Sequence, residues 1–314
     1  MKQRTIKAFS LLLFGAVCIA GCNNLRQEVN PDRLNREAAK LVVTCFLSPQ
    51  DTVLAVKLTR TKTVLSDGAP GSLTDNNVTD ATVTLSEGGR TVMLPFDIRL
   101  GNYQTAISQL PVVVGRTYSL VIQTPAGERA ESTCTIPRAV NIASVTFDSL
   151  TVNRFNRQSK RYFIRASWHD IKGETNYYQF LGSYKLIRKN AGSLNNPTSS
   201  AQEEAGLLRF NKNGLQTDRA AEGDFMVSER AFLGGRFPDS GTQSDLGSQY
   251  KEVTVLVSLL STDRAYYEYQ DAVERQAEVS GNPFAEPVLI PSNIQGALGC
   301  FAAYNRSTLS QRLK

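Results

Sequence analysis

From Lys40 onward the chain is built of short runs rich in Val, Thr, Leu and Ile, broken by turn residues, and that rhythm leaves room for little except antiparallel sheet. In 52–60, Leu54, Val56 and Leu58 alternate with Ala55, Lys57 and Thr59; in 117–123, Tyr118, Leu120 and Ile122 alternate with Ser119, Val121 and Gln123. A period of two with one apolar face places a strand over a core. The same texture marks 41–47, 81–86, 90–96, 102–108 and 129–136, separated by Gly88-Gly89, Gly101-Asn102, Gly115 and Pro125-Ala126-Gly127. This spacing predicts an immunoglobulin-like β-sandwich over 40–138, closed by Pro137. The interruption at 61–80 predicts an exposed loop. Its Asp75, Asn77 and Asp80 offer oxygens at alternate positions, but no Gly stands where a tight calcium loop needs one, so no metal is expected.

Residues 139–314 predict a second β-rich domain with one helix. Strand texture recurs at 142–152, 161–168 and 176–187, the last carrying Tyr177, Tyr178, Phe180 and Tyr184. Tyr178, Phe180 and Tyr184 share one face and Tyr177 the other. Tyr177, Tyr178 and Tyr184 are therefore candidate ligand-contact aromatics, with burial in a core as the alternative. Residues 188–249 are poor in apolar period, and their islands at Leu207-Leu208-Arg209-Phe210, Phe225-Met226-Val227 and Phe232-Leu233 predict short edge strands between long loops. At 251–260, Val253, Val255, Val257 and Leu259 mark a central strand. A helix follows near 262–280, capped by Ser261 or Thr262 with Asp263 in its first turn, and stopped by Gly281-Asn282-Pro283. The last strand is expected at Cys300–Tyr304.

The N-terminus sets an address. Lys2, Arg4 and Lys7 precede Leu11-Leu12-Leu13-Phe14-Gly15-Ala16-Val17, an apolar run too short to span a bilayer, and small residues follow. Ile19-Ala20-Gly21-Cys22 fits a bacterial lipobox, so 1–21 is expected to be a signal peptide and Cys22 the acylated, palmitate-bearing first residue of the mature chain. Residues 22–39 are polar and lack apolar period; as an extended tether they reach at most roughly 55–60 Å.

Composition excludes several classes. The formal charge of +6 includes the three signal-peptide cations, and no basic cluster beyond Lys160-Arg161 and Arg188-Lys189 exists, which argues against nucleic acid. Without Cys18 and Cys22, Cys45, Cys134 and Cys300 remain. Export permits a disulfide, and Cys45 and Cys134 form the candidate pair because they sit in the first and last strands of the predicted sandwich; three small buried thiols are the alternative. One histidine and no Cys-x-x-Cys disfavour a metal centre. His169, beside Asp170, lacks a Gly-x-Ser-x-Gly elbow and reads as the end of a strand. No phosphate loop or other cofactor motif is present.

The segments Gly281-Asn282-Pro283-Phe284-Ala285-Glu286-Pro287, Ser292-Asn293-Ile294 and Gly296-Ala297-Leu298-Gly299 through Tyr304-Asn305 resemble the closing signature of a lipoprotein family called domain of unknown function 4249. Leu41-Val42-Val43, Ala81-Thr82-Val83-Thr84-Leu85, Gly101-Asn102-Tyr103 and Gly115-Arg116-Thr117-Tyr118-Ser119-Leu120 are similar to its N-terminal half. The resemblance implies an outer-membrane lipoprotein of Gram-negative bacteria with a β-sandwich N-terminal part, often encoded beside TonB-dependent receptors. It brings no catalytic residues, and the three cysteines lie outside its pattern. The expected function is therefore that of a non-catalytic lipoprotein, membrane-bound through its lipid and accessory to a TonB-dependent uptake receptor. A free-standing surface binder of glycan or peptide is the alternative, and a surface hydrolase a second.

Overall fold

The computed structural model describes residues 39–61, 76–154, 157–188, 203–210, 212–219, 223–234, 250–280, 282 and 284–313. The chain is mainly β. Strands β1 (Leu41–Leu47), β2 (Val53–Arg60), β3 (Thr82–Glu87), β4 (Arg90–Leu94), β5 (Phe96–Asp97), β6 (Asn102–Ala106), β7 (Thr117–Gln123) and β8 (Arg129–Thr135) come first. After them run β9 (Ile142–Arg154), β10 (Arg157–His169), β11 (Tyr177–Arg188), β12 (Glu203–Arg209), β13 (Leu215–Thr217), β14 (Phe225–Val227), β15 (Ala231–Leu233) and β16 (Tyr250–Thr262). Helix α1 (Arg264–Val279) and strand β17 (Leu298–Arg312) complete the described elements.

Alternation becomes burial as the sequence dictates. In β1, Leu41, Val43, Cys45 and Leu47 are buried, and in β2 Leu54, Val56 and Leu58 are. A four-stranded sheet in the order β4-β3-β7-β8 presents Val83, Leu85, Leu94, Tyr118, Leu120 and Ile122 to the same apolar cluster. Two sheets thus share one core, with Tyr118 pinned through its hydroxyl, which donates to the Pro111 carbonyl.

The opposing sheet does not stop at β1. It runs β14-β10-β15-β12-β11-β16-β17-β1-β2-β6-β5, with β9 paired to β10 and β13 to β11. The join is the parallel pairing of β1 with β17, Val42 opposite Leu298 through Leu47 opposite Ala303. Residues on both sides of the boundary expected at 138 therefore lie in one compact unit, 40–60 with 74–314, and Phe301 and Ala303 from the C-terminal strand fill the same core as β1 and β2. Over β11 and β16 the β9–β10 hairpin closes a second core, in which Val253, Val255 and Val257 meet Ile164, Ala166, Phe180 and Tyr184.

Two expectations are corrected here. The candidate pair Cys45 and Cys134 is not bonded; both are buried free thiols, as is Cys300. Strand β1 belongs to the large sheet and β8 to the small one, so the two thiols face each other across one core and not along a shared edge. The last strand also runs beyond Tyr304 to Arg312. Its far half, Asn305-Arg306-Ser307-Thr308-Leu309-Ser310-Gln311-Arg312, is polar apart from Leu309, so it is held as strand by its ladder with β16 and not by an apolar face of its own.

Candidate functional site

Helix α1 lies against the large sheet on the face opposite the two cores. Asp263 caps it: one carboxylate oxygen accepts the Tyr266 N–H at 2.8 Å, and the other accepts the Ala303 N–H of β17 at 2.9 Å. Under the first turn, Tyr266 and Leu260 pack with Cys300, Ala302 and Phe46, Tyr266 meeting Phe46 edge to face at 5.1 Å. The Tyr266 hydroxyl donates to Gln179 Oε1 at 2.8 Å, and Gln179 Nε2 donates to the Asn213 carbonyl. One buried glutamine thus couples the helix to the loop before β13.

The helix covers only one end of this face. Beyond it the sheet opens into a groove of about 550 Å³ floored by adjacent strands: Leu207 and Leu208 of β12, Leu181 to Ser183 of β11, Leu256 and Ser258 of β16, and Tyr304 and Arg306 of β17. Phe46, Phe210 and Tyr266 form apolar walls. Leu207 is 77% exposed and Leu256 47%, large values for leucines on a sheet. The strand period explains this: Val253, Val255 and Val257 take the inner face of β16, leaving Thr254, Leu256 and Ser258 outside.

The polar groups of the groove are few and mostly satisfied. Ser258 Oγ and Thr308 Oγ1 share a hydrogen bond of 3.0 Å. The Tyr304 hydroxyl donates to Asp51 at 3.1 Å, and burial pushes that tyrosine up to about 12, so it stays a neutral donor. Burial also raises Asp51, against the opposing pull of the Tyr304 hydrogen bond and the nearby Arg306 charge. The turn carrying Asp51 is tied to β17: Gln50 Nε2 donates to Asn305 Oδ1 and Gln50 Oε1 accepts the Arg306 N–H. On the same face Lys185 pairs with Glu203 and Arg312 with Glu252. Among the described residues Arg306 has no such ion pair.

The residues singled out in the sequence fall elsewhere. Tyr178 and Tyr184 are buried in the cores, 1% and 7% exposed, and Tyr177 packs its ring on Tyr267 at 5.1 Å, so the three do not form a binding stripe. The side chains of Tyr178 and Tyr184 are apolar content of β11 turned inward, with the Tyr178 hydroxyl donating to buried Asp170 at 2.6 Å. His169 ends β10 with its ring edge to face on Phe225 at 5.2 Å; the Asp170 oxygens are taken by Tyr178 and the Gly223 N–H. Cys22 and Asp75 lie outside the described residues. Among the described residues no three His, Cys, Asp or Glu side chains come together as a metal site, and none of their helices is long and apolar enough to cross a membrane.

The segment carrying the C-terminal resemblance turns out to be scaffold. Asn293 brackets Phe301, its Nδ2 donating to the Phe301 carbonyl at 2.6 Å while its Oδ1 accepts the Phe301 N–H at 2.9 Å. Ser132 of β8 donates to the Asn293 carbonyl, and Glu131 bridges to Gln295. At Gly299, φ is +112° and a Cβ would lie 1.9 Å from the Val43 carbonyl oxygen, so only glycine lets β17 close on β1. This stretch ties the small sheet, the helix side and β1 together.

Fold and groove together define a mainly β protein with an open, largely apolar recess on the outer face of its main sheet and no acid–base pair among the described residues lining it. The chain belongs to the family described as "Domain of unknown function (DUF4249)", whose model matches residues 26–310. No curated protein matches the chain. Among solved structures, it is similar to a protein of Corynebacterium diphtheriae provisionally described as membrane anchored, at 11% identity and a TM-score of 0.21, with 84% of this chain covered. It spans 60% of that protein's length.

Proposed function

We propose that this chain is a non-catalytic lipoprotein of the cell outer membrane, anchored through acylated Cys22, that binds a ligand in the groove between α1 and β12 and serves as an accessory to a TonB-dependent uptake receptor. The observation that carries binding over catalysis is the groove itself: its described lining holds leucines, aromatics, serines, Asn213 and Arg306, and no His, Asp, Glu, Lys or Cys to act as base or nucleophile. The lipobox ending at Cys22 and the polar stretch 23–39 support the anchored placement. The family resemblance supports the receptor as partner. With Tyr178 and Tyr184 in the core, a glycan platform on β11 has lost its aromatics.

Two measurements test this. Cys22→Ser should move the protein from the membrane to the soluble fraction; continued membrane attachment sinks the anchor. Affinity purification of the tagged lipidated protein from gently solubilised outer membrane should retain a stoichiometric barrel receptor, and a clean, partnerless protein overturns the accessory role.

A further inference from the structure

We infer that the groove selects a linear amphiphile with an anionic head, of the fatty-acid type, its apolar body lying on Leu207 and Leu256 and its carboxylate held by Arg306. This rests on the reading of the groove as the binding site. Three observations carry it.

The first is charge. On this face the other cations named are neutralised, Lys185 by Glu203 at 2.8 Å and Arg312 by Glu252 at 3.7 Å. Arg306 is exposed at the end of the groove, and no ion pair engages its guanidinium among the described residues. Asp51, which accepts the Tyr304 hydroxyl, feels the Arg306 charge without forming an ion pair with it. A guanidinium without an ion-pair partner among the described residues, on the lining of an apolar recess, favours a carboxylate.

The second is the polarity of the floor. Strands β11 and β16 have ladder partners on both sides, so their backbone groups are already used. Ser258 and Thr308 satisfy each other. A peptide would bring an amide every residue and find few partners, at a cost for each group left unpaired; an acyl chain brings none. The third is size: about 550 Å³ fits one small ligand.

The test uses the whole chain carrying Cys22→Ser, purified without detergent, and calorimetric titration with laurate and with lauryl alcohol below their aggregation limits. Wild-type groove residues should bind laurate about tenfold or more tightly than the alcohol, the worth of one charge-assisted contact. Arg306→Gln should erase that preference while leaving alcohol binding unchanged, Arg306→Lys should keep most of it, and Arg312→Gln should leave it intact. Because the Arg306 side chain is exposed and its bond to Gln50 comes from the backbone N–H, these variants keep the fold, which unchanged thermal unfolding verifies.

Equal affinity for laurate and alcohol in the parent chain overturns the anionic selectivity, while the groove remains a binding site. Binding of neither probe overturns the whole inference. The groove reading is then judged separately by Leu256→Glu in the lipidated protein: loss of the copurifying receptor keeps the groove as a contact surface, and retention removes that as well.

Discussion

Asp263 ties the helix to the last strand with no ion-pair partner among the described residues, and its titration should be visible in the stability of the fold. Both carboxylate oxygens accept backbone N–H groups, from Tyr266 and Ala303, which favours the charge, yet burial outweighs them and lifts the group from 3.8 to about 6. Because the folded value lies above the unfolded one, the contribution is fully present below the unfolded value and is lost as pH rises through about 6. The gap between 3.8 and about 6 corresponds to about 3 kcal/mol. Asp263→Asn keeps an oxygen for the Tyr266 N–H but sets an amide donor against the Ala303 N–H, costing about 1 kcal/mol at low pH. It no longer titrates. Urea unfolding of parent and variant at matched pH should therefore show the parent ahead near pH 3, with its advantage shrinking by about 3 kcal/mol, and changing sign, by about pH 7. Asp51, also raised by burial, and Glu128, held down by Arg60, are common to both proteins and cancel in the difference. A difference that stays flat across this range refutes the assignment of an uncompensated buried charge to Asp263.

Gly299→Ala should be among the most damaging single-methyl changes in the chain, because the added Cβ meets the Val43 carbonyl at 1.9 Å and the carbonyl carbon at 2.8 Å. A loss of at least ~3 kcal/mol in urea unfolding is expected, whereas Gly88→Ala, with nothing within 4 Å at its own positive φ, should lose only the backbone strain; equal losses would mean that β1–β17 closure does not constrain residue 299. The thiols of Cys45, Cys134 and Cys300 should be silent to a thiol reagent in the folded Cys22→Ser chain and all react in denaturant. Burial pushes Cys300 up to about 12 and raises the other two. A protein that yields only one thiol when unfolded, that of Cys300, would restore the Cys45–Cys134 disulfide.

How much of this was legible depended on whether an element carried its own apolar face. In β1, β2, β7 and β16 one face is buried, and the period of two appears directly in Val43, Val56, Leu120 and Val255. The helix was visible from its cap region and its Gly281-Asn282-Pro283 stop, but Asp263, expected in the first turn, takes the cap itself in place of Ser261 or Thr262. What could not be read is what depends on distant pairing. The far half of β17 has Leu309 as its one apolar residue and is strand because β16 lies alongside it. The parallel join of β1 to β17 links segments far apart in sequence, and nothing local announces it. Aromatics mislead for a related reason: Tyr178 and Tyr184 carry polar tips that read as surface chemistry, but their hydroxyl-bearing rings are large apolar bodies, and a sheet with cores on one side absorbs them.

The site was hidden because it is written in ordinary residues. The side chains that draw notice in the sequence, the cysteines, the tyrosines of β11 and the lone His169, are spent on packing. The groove is made of the complementary set, Leu256 and Ser258 from the outer face of β16, Leu181 and Ser183 from β11, and Arg306 from β17. Core and site are thus two faces of the same strands, and register decides which residue serves which. The pairing of Leu256 with Ser183 on one side and Ser310 on the other places the exposed leucine over the groove. A slip of one residue would bury Leu256 and expose Val255 or Val257 instead. The long ladders of β11, β16 and β17, anchored by Asp263 on Ala303 and by Asn293 on Phe301, do more than stabilise the sheet: they set where Arg306 stands relative to the leucines of the groove.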